Sequence, residues 1–470
     1  MARTDRLTEL AAKFVESVRY EDIPEEAIRV GRRCILDTLG LYSAGTTEHS
    51  VEILVAEARA TGGIGEALLI GAPGERVPAP IAARVLGTAG HAHDWDDTQV
   101  SHDPAHVYGL LTHPSVPALT GALVATDMRS GASGRDLMLA FQTGFEVECK
   151  ISEWMLPDHY LRGHHSSGTV GTFGACAAAA KVMGLKGEAL RHALGIAASF
   201  AAGIRCNFGT MTKPLHVGRA AENGITAARL AARGFTADPT ALDGRWGFLA
   251  VLGGGFSEEK AEAGFADPLS IVSPGVSIKP YPSGILTHQS MDAMLRLVKA
   301  HDVRPGEIER IAFFAGSNIL NPIRYPIAGN HLQAKFSMAA LLAMIALYRR
   351  AGRREFTDEC VGSSEMQEMQ RRISVELDPD IEAQGFDKIR SRVELTKFDG
   401  ATIIEWADER YRGGPNLPMT DDEVAEKFHA CTDGLIEPAR AQRLIAEVWR
   451  IDELADARRL LDAVQRPCGS

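Results

Sequence analysis

The stretch Gly168-Thr-Val-Gly171-Thr-Phe-Gly174-Ala-Cys-Ala-Ala178-Ala-Ala-Lys-Val-Met-Gly184 decides the fold. Gly168, Gly171, Gly174, Ala175 and Ala178 recur at spacings of three and four, so one whole face of a helix carries nothing larger than a methyl group. Such a face lets neighbouring backbones approach closely, which predicts a helix at the centre of a tight bundle. Outward from it, up to about residue 260, Ala-rich segments are broken by Gly and Pro and show almost no period-two pattern. Pro24-Glu-Glu-Ala-Ile places a proline and two acids in a first helical turn, where the missing N–H and the negative charge both fit. After Gly253-Gly-Gly255 the pattern changes. Arg372-Ile-Ser-Val-Glu-Leu alternates strictly, and Arg392-Val-Glu-Leu-Thr-Lys-Phe runs through Asp399-Gly400 into Ala401-Thr-Ile-Ile, a hairpin signal. Between these strands lie an amphipathic helix, with Met291, Met294, Leu295 and Val298 behind a Thr287 cap, and the apolar segment Phe336 to Tyr348. Thr420-Asp-Asp-Glu423 is a capping-box pattern that reopens helix to about residue 464. The expected fold is mainly α: a large all-helical domain formed by both chain ends (1–265 and 409–470), with an inserted smaller α+β lid domain (266–408).

Composition narrows the function. The 470 residues are 45% hydrophobic and 24% charged, as in a folded globular protein and unlike a disordered chain. The formal charge, 50 − 61 = −11, repels phosphate backbones and anionic lipid, so neither nucleic acid nor a membrane surface is expected as a partner. An anionic small molecule would need a local cationic pocket. The start, Met1-Ala-Arg-Thr-Asp-Arg, puts charges where a signal peptide needs apolar residues, and the apolar segment Phe336 to Tyr348 is 13 residues, too short to span a membrane. Seven scattered cysteines without a Cys-x-x-Cys pair point to a reducing, cytoplasmic setting and away from zinc or iron–sulfur ligation. No Gly-x-Gly-x-x-Gly, Gly-Lys-Ser/Thr phosphate loop or Gly-x-Ser-x-Gly elbow occurs, so nicotinamide, flavin, ATP and serine-hydrolase chemistry lack their usual signatures.

Four clusters carry chemistry. The densest is His91-Ala-His93-Asp94-Trp-Asp96-Asp97-Thr98 with Ser101-His102-Asp103 and Leu111-Thr-His113-Pro-Ser115. Crowded carboxylates and imidazoles titrate near neutrality and suit general acid–base work. The same set, His91, His93, Asp94 and Asp97, offers ligands for a divalent metal, and Asp-Asp-Thr equally suits helix capping. The second, Arg162-Gly-His164-His165-Ser-Ser-Gly168, runs straight into the small-faced helix, whose first N–H groups attract a carboxylate. The third, Gly209-Thr-Met-Thr-Lys213-Pro-Leu-His216, and the fourth, Ile278-Lys279-Pro-Tyr-Pro-Ser283-Gly284, hold lysines on proline-stiffened segments, support that a solvated surface lysine does not need.

Taken together with Ala334-Lys335-Phe336-Ser337, these segments resemble the MmgE/PrpD family, which includes 2-methylcitrate dehydratase, cis-aconitate decarboxylase and iminodisuccinate epimerase. The resemblance implies a helical domain with a smaller lid, a homodimer, and an active site between domains that needs no cofactor and no metal. It implies catalytic positions at Asp94, Thr98, His113 and His165, with Tyr160 as a further candidate, and substrate-binding positions at Lys213, Lys279, Arg162 and Ser283. Which of His102, His106 and His113 reaches the substrate stays open. The reactions it implies act on a small di- or tricarboxylate at a carbon next to a carboxylate, where negative charge builds on an already anionic molecule and cations must gather. First among them stands a 2-methylcitrate-type hydro-lyase, in which Asp94 or His113 takes the α-proton and His165 or Tyr160 protonates the departing hydroxyl. Epimerisation and decarboxylation are its alternatives, and a metal-dependent hydrolase or lyase built on the His91–Asp97 cluster is a further one.

Overall fold

The computed structural model describes residues 7–100, 112–129, 131–262, 264–385 and 388–465. At its centre lies the small-faced helix Gly171–Met183, preceded by the single turn Ser166–Thr169. Three helices close on it: Ser115–Met128, Gly134–Trp154 and Thr212–Ala231. Their approach is backbone to backbone, because a Cβ on Gly121 would lie 2.5 Å from the Ala175 carbonyl oxygen, one on Gly144 2.5 Å from that of Gly174, and one on Gly224 2.6 Å from the Cys176 nitrogen. Helix Ala79–His91 packs on Thr212–Ala231 at Gly87 and Gly218 in the same way, with a Gly87 Cβ only 3.0 Å from the Gly218 Cα. That contact fixes the chain around His91 against the helix that carries Lys213. Helix Glu25–Gly45 follows Pro24, and helix Asp421–Thr432 opens on the Thr420/Glu423 capping box.

Apart from a short pair, β1 (Ala67–Leu68) and β2 (Arg76–Val77), the strands belong to one sheet: β3 (Ile308–Ala315), β4 (Ile373–Leu377), β5 (Ser391–Lys397) and β6 (Thr402–Trp406). Its order is β4-β3-β5-β6, with β3 and β4 parallel, the others antiparallel, and β5 and β6 joined through Asp399-Gly400. Ser391, Val393 and Leu395 point into the core while Arg392 and Glu394 do not, the alternation seen in the sequence. Helices His288–Ala300 and Met338–Tyr348 cover the inner face. The Thr287 hydroxyl donates to the Gly284 carbonyl (2.8 Å) rather than capping the helix, because a 3-10 turn, Ile285–Thr287, leads into it.

Two large hydrophobic cores result, beside a small cluster of Leu41, Ala44, Trp95 and Cys431. One gathers residues from Leu7 to Ile278 and from Met419 to Val464; the other runs from Tyr281 to Tyr411 and includes Val100. Residues Leu269, Ile271, Val276 and Ile278, expected from sequence in the lid, pack in the first core, since the chain from 269 to 278 runs along the helical body before crossing over. Among the described residues no helix is long and apolar enough to cross a membrane.

Candidate active site

An open cavity of about 480 Å³ lies where the two cores meet. Asp94, Thr98, His113, Tyr160, His165 and Lys213 reach it from the helical side, Lys279 from the crossing segment, and Gly284, Ile285, Leu286, Pro322, Ile323 and Phe336 from the sheet-bearing side.

Asp94 is the centre. It follows helix Ala79–His91 in a tight turn with φ = +53°, a left-handed conformation that Asp tolerates better than most residues. Its carboxylate accepts from Lys279 Nζ at 2.6 Å and lies 3.1 Å from Lys213 Nζ. Three buried lysines hold this turn by its carbonyls: Lys335 donates to Ala92 O (2.9 Å), Lys279 to Asp94 O (2.9 Å) and Lys427 to Trp95 O (2.7 Å). Lys427 comes from helix Asp421–Thr432 and pairs with buried Asp37, on helix Glu25–Gly45, at 2.7 Å. Burial alone would raise the Asp94 pKa, but the two ammonium groups outweigh it and hold the carboxyl well below the usual range. Burial pulls Lys213 down to about 8, against the pull of Asp94.

Behind Lys213 stands a relay. Asp96 accepts from His91 Nδ1 (2.8 Å), which leaves the His91 Nε2 lone pair to accept from Lys213 Nζ (2.7 Å). Asp96 is held low, burial being outweighed by His91 and His113. His113 Nδ1 lies 2.8 Å from the Asp97 carbonyl oxygen, which can only accept, so Nδ1 carries the proton and Nε2 keeps a lone pair in the neutral ring. The His113 backbone N–H donates to Ser167 Oγ (2.9 Å), so the turn after His165 serves the site by fixing His113. His165 Nδ1 shares a proton with His216 Nδ1 (3.0 Å), and its buried Nε2 has no protein partner. Burial lowers His113 and His165 well below the ordinary histidine value, with neighbouring lysines pulling the same way, so both rings are neutral at pH 7. Asp97 has a different duty: it accepts from the Ser115 N–H (3.2 Å) and hydroxyl, and burial raises it to about 7. The Tyr160 ring, half-buried, is stacked under the Arg205 guanidinium at 3.8 Å.

Two residues expected from sequence to bind substrate lie elsewhere because of where their backbones run. Arg162 sits in the exposed turn after Asp158–Leu161 and pairs with Asp158 at 2.9 Å, outside the cavity. Ser283 is fully buried behind the wall, within 3.2 Å of the Thr287 hydroxyl. Neither side chain lines the cavity, where both were expected. His102 and His106 fall outside the described residues. His93, grouped with His91 as a metal ligand, turns away: its Nε2 lies 3.1 Å from Ala44 O and its Nδ1 3.4 Å from Glu48. With Asp97 occupied at Ser115, the His91/His93/Asp94/Asp97 ligand set does not converge. Ligand atoms of His91, Asp94, Asp96 and His113 do lie within 4.8 Å of one another. Lys279 donates to Asp94 Oδ1 there and Lys213 to the His91 Nε2 lone pair, and two ammonium groups at this distance disfavour a dication. Sequence alone gives His91 and Asp96 a share in a general acid–base cluster, adds a metal-ligand reading for His91, and assigns no part in the reaction to Phe208 or Phe336. The pairs His91/Asp96 and Phe208/Phe336 become neighbours only through the left-handed turn and the crossing of the two cores.

A helical body and a sheet-bearing part thus enclose an aspartate bracketed by two lysines. The chain belongs to that family: residues 9–260 match the MmgE/PrpD N-terminal domain and residues 281–452 the MmgE/PrpD C-terminal domain. It is similar to cis-aconitate decarboxylase of Homo sapiens, 28% identical over 467 residues covering 98% of this chain and 95% of the relative, and to that of Mus musculus, 28% over 476 residues covering 98% and 94%. It is 24% identical over 480 residues, 97% and 95% of the two chains, to cis-aconitate decarboxylase of Aspergillus terreus.

Proposed function

We propose that this chain is a carboxy-lyase that cleaves carbon dioxide from a small di- or tricarboxylate, using its own lysines and histidines. The observation that carries the reading is the pair of ammonium groups clamped on Asp94 in one cavity with two neutral imidazoles. In this reaction the bond to the departing carboxylate breaks and its electron pair stays on the substrate carbon, spreading toward a neighbouring carboxylate. Lys213 and Lys279 hold that carboxylate where charge develops. Carbon dioxide leaves, and a proton from Lys213, whose ammonium is acidified to about 8, closes the valence. Asp94 keeps the lysines apart and aimed, and His113 Nε2 accepts a hydrogen bond from a substrate carboxyl or hydroxyl. Dehydration of the 2-methylcitrate type, placed first from the sequence, gives way to decarboxylation because the similar curated proteins named above are decarboxylases. The homodimer and the cytoplasmic setting belong to the same reading.

The test is incubation with cis-aconitate, citrate, 2-methylcitrate and iminodisuccinate in heavy water. Decarboxylation releases carbon dioxide and leaves one solvent deuterium on the product carbon. Water loss without carbon dioxide, or inversion with the carbon skeleton intact, overturns it in favour of the hydro-lyase or the epimerase respectively.

A further inference from the structure

Lys279 reaches Asp94 from a segment that is leaving the helical body, so its aim depends on how that crossing is anchored. Just before it, Thr98 and Ser277 exchange backbone hydrogen bonds at 2.9 Å and 2.8 Å, and the Ile278 N–H donates to the Gly413 carbonyl at 2.9 Å. Gly413 lies on the return crossing, between Tyr411 in one core and Met419 in the other. The two crossings touch so closely that a Gly413 Cβ would lie 2.0 Å from the Ile278 oxygen, and the φ of +89° there is one that glycine adopts freely.

The same two crossings meet again at one carboxylate. Asp292, on helix His288–Ala300, accepts from the Tyr281 hydroxyl at 2.7 Å and from Arg412 Nε and Nη2 at 3.2 Å and 3.1 Å. The Arg412 guanidinium also lies 5.2 Å from the centre of the Tyr281 ring. None of these three residues lines the cavity. Tyr281 is two residues after Lys279 and stands between Pro280 and Pro282, whose rings fix φ on either side of it. A shift of the tyrosine is therefore passed along the chain to Lys279 rather than absorbed locally. Arg412 directly precedes Gly413, which holds Ile278, the residue before Lys279. Asp292 thus grips the Lys279 backbone from both sides, once through Tyr281 and once through Arg412.

We propose that Asp292 is a positioning residue: from outside the cavity it sets the Lys279 ammonium against Asp94, acting through Tyr281 and Arg412. The inference rests on the reading that Lys279 faces a substrate carboxylate, and deepens it by naming what aims that lysine. A misplacement of about 1 Å at such a group costs up to about 10²-fold.

The test couples Asp292 to Lys279 without turnover, through the calorimetric affinity for succinate. Asp292→Ala is expected to weaken binding by about tenfold or more in the wild-type background. In Lys279→Met the same change should cost less than about twofold, because the group being aimed is missing. Equal losses in the two backgrounds overturn the proposal. Tyr281→Phe, which removes a single oxygen, carries the same cycle where Asp292→Ala does not fold, and a loss that persists in Lys279→Met again overturns it. Arg296→Gln is the control on the same helix, since Arg296 pairs with Glu405 on β6 at 2.9 Å. It should leave the affinity within about twofold even where it lowers Tm; a loss equal to that of Asp292→Ala assigns the effect to helix stability and overturns the proposal. A crystal structure of ligand-free Asp292→Ala, or of Tyr281→Phe, supplies an arm independent of substrate. Lys279 Nζ, 2.6 Å from the Asp94 carboxylate in the wild type, is expected about 1 Å or more farther away, and an unmoved ammonium overturns the proposal. If the wild type binds no dicarboxylate, the carboxylate reading fails and this crystallographic arm alone decides whether Asp292 aims Lys279.

Discussion

Replacing Asp94 by Asn changes one atom and removes the charge on which two buried ammonium groups depend. Asn tolerates the left-handed backbone at this position, so the turn itself survives. Contacts of 2.6 Å and 3.1 Å to Lys279 and Lys213 correspond to roughly 5–6 kcal/mol each at an effective dielectric of about 20, before desolvation. Breaking a buried ion pair from one side costs about 3–5 kcal/mol net, which for a chain of this size lowers Tm by about 3–7 °C. Activity should fall by about 10²- to 10⁴-fold, because the lysines lose both spacing and aim. The pH profile carries the discriminating information. Lys213 already sits at about 8. Without the Asp94 charge its ammonium is less favoured and its pKa drops further, so residual activity should rise as the pH is lowered and its alkaline limb should move acidward. Initial rates from pH 5.5 to 9 and a thermal melt measure both. Activity within tenfold of wild type at pH 7 with an unmoved alkaline limb would refute the reasoning, whatever happens to Tm.

The remaining expectations are briefer. In the wild type, kcat/KM should be sustained below pH 8 and fall as Lys213 loses its proton above it, since the lowered pKa makes the charged form available only on the acid side. Lys427→Met, at a residue that donates to Trp95 O and never lines the cavity, should lower kcat by about tenfold or more through the 92–95 turn; kcat unchanged within twofold would show the turn holds without it. Asp97→Asn should be tolerated better than Asp96→Asn, since Asp97 is pushed up to about 7 and is only about half ionised at neutral pH, whereas Asp96 is held ionised beside His91; equal kcat losses would contradict this. His331 bridges Glu48 (3.1 Å) and Asp358 (2.5 Å), bonds that outweigh burial and raise its pKa. A raised histidine stabilises the fold fully below about pH 6.5 and loses that contribution as pH rises through its folded value. His331→Gln should therefore lower Tm more at pH 5.5 than at pH 8.5, and the reverse order would sink the assignment.

What the sequence made legible were features whose meaning is local. The small face of Gly168 to Gly184 has one use in a folded chain, close packing, and Gly121, Gly144 and Gly224 supply the matching approaches. Thr420-Asp-Asp-Glu423 and Asp399-Gly400 are self-contained signals, and both form as expected. Asp94, His113, His165, Lys213 and Lys279 could be picked out because they lie on stiff or crowded segments. Their partners could not. Whether His91 or His93 faces Lys213 depends on where helix Ala79–His91 stops and how sharply residue 94 turns, and a one-residue difference exchanges the two rings. Arg162 looked equivalent to the lysines because charge is visible in sequence and direction is not. The apolar wall of the cavity was hidden for the opposite reason: Ile285, Leu286 and Ile323 read as ordinary core, and only the crossing of two separate cores turns them toward a cavity.

The fate of one carbon decides the reaction. With uniformly ¹³C-labelled cis-aconitate as substrate, ¹³C spectra should show labelled carbon dioxide released by the wild type and suppressed at least a hundredfold in Lys213→Met. Product retaining every labelled carbon, or carbon dioxide released at undiminished rate without the Lys213 ammonium, would contradict it.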